Sequence, residues 1–165
     1  MELLFLGGEP TIQKDLKDFI IKIKSMGYKV KLDTNGTNPI LLKELIDEHL
    51  IDYVAMDIKN DFQNYDKPSG VNNCITSNIR QSLDILINSN IHYEFRTTIV
   101  KEFHALSNII NILKEIGSLP NYYLQNFEDS EFVYDHNLHG FSKEELKEIQ
   151  DILKKDYPNV VVRNL

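Results

Sequence analysis

The sequence predicts a parallel α/β fold, on three observations. Apolar runs of strand length alternate with helical patterns along the whole 165-residue chain. Such a βαβα alternation demands mostly parallel strands joined by right-handed crossovers, in either an open doubly wound sheet or a barrel. Polar side chains also gather just beyond the strand ends, where ligands lie in folds of this kind.

The first strand is ELLFL, Glu2 to Leu6; it runs into Gly7, Gly8, Glu9 and Pro10, then a helix from Gln13 to Met26 that Gly27 stops. YKVKLDT, Tyr28 to Thr34, is the second strand, and Asp33, Thr34, Asn35 and Gly36 stand at its exit. Asn38 caps the next helix, Pro39 to His49, because its side chain satisfies a free amide while proline occupies the first helical position. The third strand, Asp52 to Ile58, ends on Asp57 and Lys59. A polar connection from Asn60 to Asn73 then lies beside the strand exits and leads to a helix from Ser77 to Asn90.

The fourth strand, His92 to Val100, carries Glu94 and Arg96, and its helix, Leu106 to Ile116, ends at Gly117. The fifth, Asn121 to Phe127, brings Gln125 and Asn126 to the same edge; the aromatics Tyr122, Tyr123 and Phe127 read as packing. After a second long loop, Glu128 to Phe141, the pair Ser142 and Glu145 forms a capping box for a helix from Lys143 to Asp156. Leu146, Ile149, Ile152 and Leu153 give that helix an apolar stripe, and NVVVRN, Asn159 to Asn164, is the last strand.

Composition bounds function. A net charge of −7, from 25 acidic and 18 basic residues, argues against a binder of nucleic-acid backbone or of anionic membrane. No apolar run is long enough to span a bilayer and the start lacks the features of a signal peptide, which points to the cytoplasm. Cys74 is the single cysteine, so the chain by itself builds neither a disulfide nor a thiolate cluster. With no low-complexity linker, residues 1–165 read as one domain.

Taken one at a time, the strand-exit residues have structural readings. A glycine pair makes a tight turn, Asn35 with Gly36 is a turn dipeptide, Asp33 can cap its own turn, and Asp57 with Lys59 can form an ion pair. Five polar groups at one edge are harder to explain that way, because buried charges cost stability unless something compensates. His136 and His139 have a spacing a metal could use, but no third ligand accompanies them.

The blocks GGEPT, KLDTNGTNP, DYVAMDIK and YEFRTTIV, in this order and spacing, resemble the radical S-adenosylmethionine (SAM) enzymes, and among them the activating proteins of glycyl-radical enzymes. The likeness runs from Glu2 to about Phe127. It implies a partial parallel (βα)6 barrel, TIM-barrel-like, with SAM and a 4Fe-4S cluster as cofactors. The family's C-x3-C-x2-C cluster motif is absent, so the expectation is a core lacking its first βα unit and its cluster. By the same resemblance Gly7, Gly8 and Glu9 line the SAM amino group and Pro10 fixes the exit of that loop. Asp33, Thr34 and Asn35 lie under SAM, Asp33 and Thr34 help hold a monovalent cation, Asp57 completes that cation site or meets the SAM ribose, Lys59 and Arg96 face the methionine carboxylate, and Gln125 approaches the adenine.

The family chemistry is a one-electron split of SAM to a 5′-deoxyadenosyl radical, which takes hydrogen from a glycine of the partner, with no acid, base or nucleophile required of this chain. Implied partners are a glycyl-radical enzyme, most closely anaerobic ribonucleotide reductase, with pyruvate formate-lyase as a related case, and a reducing flavodoxin or ferredoxin. An exposed first strand would favour self-association. Two other readings stay open: a degenerate, non-catalytic SAM-, nucleotide- or partner-binding relative, and a metal-dependent barrel lyase or hydrolase using Glu9, Asp33 and Asp57.

Overall fold

The computed structural model describes residues 2–5, 8–65, 75–117, 121–129 and 135–163. Gly7 and Cys74 lie outside the described residues. Strands β1 (Glu2–Phe5), β2 (Lys29–Thr34), β3 (Tyr53–Asp57), β4 (His92–Ile99), β5 (Tyr122–Asn126) and β6 (Val160–Arg163) alternate with helices α1 (Leu16–Ser25), α2 (Pro39–Asp47), α3 (Thr76–Ile87), α4 (Leu106–Ile116) and α5 (Lys143–Asp156). The strand order in the sheet is β1-β2-β3-β4-β5-β6. A short 3-10 turn over Pro10–Ile12 is the one element in this series without a sequence signal. None of the described helices is long and apolar enough to cross a membrane.

The chain divides into two compact units, one drawn from Met1–Asp57 and Asn73–Glu94, the other from Ile58–Asn72 and Phe95–Leu165. In the first, β1 pairs with β2 and β2 with β3, all parallel, with Leu4 opposite Lys31 and Lys31 opposite Tyr53. Strand residues alternate in direction, so every second side chain meets the helices. Val30, Leu32, Val54 and Met56 are fully covered, as are Ile20 of α1, Leu45 of α2 and Ile79 and Leu86 of α3. The alternate positions Lys31, Asp33, Tyr53 and Asp57 face the other way. Parallel strands are commonly apolar on both faces; this second face is charged.

The second unit repeats the plan. β4 pairs with β5 and β5 with β6 in parallel, with Arg96 opposite Tyr123 and Gln125 opposite both Thr98 and Arg163. Phe95, Ile99, Tyr122 and Leu124 form its core with Ile109 and Ile112 of α4 and Leu146 and Leu153 of α5. The helix ends behave as their residues dictate. Asn38 accepts from the Leu41 amide at 3.2 Å, and Ser142 and Glu145 cap one another at 2.6 and 3.3 Å.

Candidate functional site

In the first unit the loop after β1 is fastened to the exit of β2 by one carboxylate. Glu9 Oε1 accepts from the Thr11 amide at 3.1 Å, the Thr11 hydroxyl at 2.5 Å and the Thr34 hydroxyl at 2.8 Å; Oε2 accepts from the Asn35 amide at 2.5 Å. The Gly36 amide donates to Thr34 Oγ1 at 3.1 Å, and Asn35 Oδ1 takes both the amide and the hydroxyl of Thr37. Asn38 completes the junction by donating to the Thr11 carbonyl at 3.0 Å. Glu9, Thr34 and Asn35 are thus brought together by direct hydrogen bonds. Pro10 is buried behind them as the first residue of the 3-10 turn.

The two described glycines of this region differ in kind. Gly8 has φ +61°, and a Cβ there would meet no atom of the described residues within 4 Å, so among them its backbone borders open space. Gly36 has φ +73°, and a Cβ would fall 2.2 Å from Met56 Cε and 3.3 Å from Ser82 Cβ. Ser82 also donates to the Gly36 carbonyl at 2.7 Å. Gly36 is therefore required by the core, whereas Gly8 leaves room for a ligand against a left-handed backbone that other residues rarely adopt.

Deeper on the charged face, Lys31 Nζ lies 3.8 Å from Asp33 Oδ1 and 3.7 Å from Glu94 Oε1. The same ammonium stands 5.2 Å from the centroid of the Tyr53 ring, and the Tyr53 hydroxyl donates to Glu94 Oε2 at 3.3 Å. Asp33 and Glu94 are buried; Asp57, at the end of β3, is half-buried.

In the second unit Lys59 is set by its main chain. Its amide donates to the Tyr65 hydroxyl at 3.3 Å, and its carbonyl accepts from His104 Nε2 at 2.8 Å while His104 Nδ1 accepts from the Val100 amide at 3.0 Å. Burial, the largest influence, holds this imidazole below its usual range, against the opposing pull of the Lys59 and Val100 carbonyls. Beside it the buried Asn60 donates to the Phe103 carbonyl, and Asp61 accepts from Asn64 and from Asn108 of α4. Burial pushes the Asp61 carboxyl up, but hydrogen bonds from Asn108 and Asn64 outweigh it and leave it below the ordinary carboxylate range.

Arg96 and Gln125 are half-buried on one face of this unit. The Arg163 guanidinium stacks 3.8 Å from the centroid of Tyr123 between them in register. Asn126 clamps Phe141 at both its amide and its carbonyl, 2.8 and 2.9 Å. His139 pairs with Glu102 at 2.8 Å and His136 with Asp129 at 3.8 Å, so the two histidines serve different acids. Among the described residues no three His, Cys, Asp or Glu side chains gather to hold a metal.

Lys31, His104 and Arg163 were not among the sequence candidates. Lys31 had a readable signal, since it precedes Asp33 by one strand period and so shares its face. Arg163 stands in the last strand, to which no site residue was assigned. His104 had no signal, because its partners are main-chain groups distant in sequence.

The radical SAM superfamily pattern matches residues 2–104. A Methanocaldococcus jannaschii protein designated a glycyl-radical enzyme activating enzyme is 36% identical over 170 residues, covering 99% of this chain and 70% of that protein. Among solved structures, a domain of pyruvate-formate lyase-activating enzyme from Bacteroides vulgatus superposes with a TM-score of 0.69 at 22% identity, over 97% of both chains. Streptococcus suis SuiB bound to S-adenosylmethionine gives a TM-score of 0.68 at 14% identity, over 99% of this chain and 38% of its own. These likenesses show the fold, the partial parallel barrel of radical SAM proteins.

Proposed function

The chain belongs to the radical SAM superfamily, and from that premise we propose that it is the SAM-binding portion of an activating protein for a glycyl-radical enzyme. The observation that carries this reading is the Gly8 loop. Its left-handed glycine borders open space, and the carboxylate of Glu9 locks it to the exit of β2, so main-chain groups are held facing a ligand with no side chain in between. The 36% identity to the M. jannaschii activating enzyme over nearly the whole chain supports the class of partner.

SAM, bound beside a reducing cluster, supplies the hydrogen-abstracting chemistry of the family. What this chain contributes is binding and orientation. Gly8 brings backbone close to the ligand, Glu9 fixes that backbone, and Asp33 with Lys31 beside it lies on the charged face of the same unit. A 4Fe-4S cluster does not fit this chain, since Cys74 is the single cysteine and three thiolates are required. We therefore assign no step through a cluster and expect the chain alone to be inactive. Anaerobic ribonucleotide reductase as the partner, and flavodoxin or ferredoxin as the electron source, rest on the resemblance.

The test is calorimetric titration of SAM into the chain and into Gly8→Ala and Gly8→Val, paired with a dithionite assay for 5′-deoxyadenosine after anaerobic iron and sulfide treatment. Both variants share the backbone strain of φ > 0, but the β-branched one intrudes further into the ligand space. Affinity should fall from glycine to alanine to valine, with no 5′-deoxyadenosine formed. Equal affinity in all three would remove Gly8 from the site, and SAM-dependent product would overturn the assignment of inactivity.

A further inference from the structure

Asp33 and Glu94 are buried to 7% and 5% exposure on the same charged face, and the Lys31 ammonium lies within 4 Å of both. Two buried carboxylates so close cost free energy unless positive charge lies between them. Lys31 fills that position over the face of Tyr53, whose hydroxyl holds the far oxygen of Glu94. The ammonium is thus flanked by two carboxylates and an aromatic ring, each from a different position in the sheet, while 24% of the Lys31 side chain stays exposed.

The Asp33 carboxylate and the Thr34 hydroxyl do not face one metal ion. Consecutive strand residues point to opposite faces. The Thr34 hydroxyl spends its proton on Glu9 and accepts the Gly36 amide, on the side away from Lys31. The two side chains therefore do not together form the monovalent cation site that the family resemblance attaches to this block.

We propose that Lys31 is the resident cation of this site: its ammonium supplies at Asp33 the positive charge that a bound sodium or potassium ion would bring, and ligand binding here needs neither ion. For the ligand itself this rests on the SAM reading above; the charge arrangement does not depend on it.

Two measurements on the whole chain decide the matter. Thermal unfolding is compared in tetramethylammonium, sodium and potassium chloride at matched ionic strength for the unaltered chain, Lys31→Arg, Lys31→Met and Lys31→Met/Glu94→Gln. The double variant removes one of the two repelling carboxylates, so that a foldable protein without Lys31 remains if Lys31→Met alone does not fold. The unaltered chain and Lys31→Arg should melt at the same temperature in all three salts, whereas a chain lacking Lys31 should be raised specifically by sodium or potassium. SAM titration should follow suit: affinity independent of the salt cation for the unaltered chain, and roughly tenfold weaker in tetramethylammonium without Lys31, the scale of one partly screened charge contact.

Specific stabilisation of the unaltered chain by sodium or potassium would overturn the proposal, as would a Lys31-less chain indistinguishable from it in every salt. Should the unaltered chain bind no SAM in any buffer, the functional reading falls, and the melting comparison still decides the role of Lys31.

Discussion

Glu9 fastens its own loop to the exit of β2 with a single carboxylate. All four of its hydrogen bonds run to protein donors, two in its own loop and two at the exit of β2. Replacing it by glutamine puts an amide donor where an oxygen accepts, so at least one of Thr11, Thr34 and Asn35 loses its partner. Urea unfolding of Glu9→Gln should show a loss of roughly 2 kcal/mol, the usual scale for hydrogen bonds to a charged group. An unchanged midpoint would mean that Glu9 does not fasten the two loops. The motif was legible in the sequence, but this division of labour was not. The two glycines look equally turn-like as letters; only the space around them separates Gly36, pressed against Met56, from Gly8, which borders an opening.

Elements were the most legible level. Each strand lies within the predicted range, and α4 and α5 match their ranges, because alternation, caps and C-terminal glycines are local signals. What the sequence does not show is how the segment after β3 is held. A polar loop was expected from Asn60, and its described part, Asn60 to Tyr65, is pinned through Asn60 and Asp61 to Phe103 and Asn108 far along the chain, while Tyr65 accepts from the nearby Lys59 amide.

His104 is the part of this attachment that should depend on pH. Its neutral form accepts from the Val100 amide at 3.0 Å; a proton at Nδ1 gives up that bond and leaves the ring the longer contact to the Val100 carbonyl at 3.2 Å. Its pKa in the folded chain is lowered from the ordinary 6.5, chiefly by burial. The unfolded chain therefore binds the proton first as pH falls, so the stability His104 contributes is present above about pH 6.5 and is lost through the window below it. Denaturant unfolding at pH 7.5 and 5.5 should show a larger acid loss for the unaltered chain than for His104→Gln, with a slope difference of at most about 1.4 kcal/mol per pH unit. Equal losses would place the pH dependence elsewhere.

At the scale of the whole molecule, β1 stands first in the sheet order and pairs with β2. The helix that follows it leaves Phe19 48% and Met26 67% exposed, two turns apart on the same stripe, and Ile12 in the preceding turn is 69% exposed. Large apolar groups this open and close in sequence to a terminal strand favour pairing with another chain, against which the net charge of −7 works. Self-association through this region follows as the expectation, and the exposed helix residues test it without disturbing the core. Sedimentation velocity over a concentration series should show a reversible shift toward dimer for the unaltered chain, and a largely monomeric Phe19→Glu/Met26→Glu variant whose unfolding midpoint is unchanged. A fall in the midpoint would show that the stripe packs within the chain. An unaltered chain that stays monomeric at every concentration would mean that this flank does not join copies of the protein, because its exposed apolar groups would then have failed to overcome the charge.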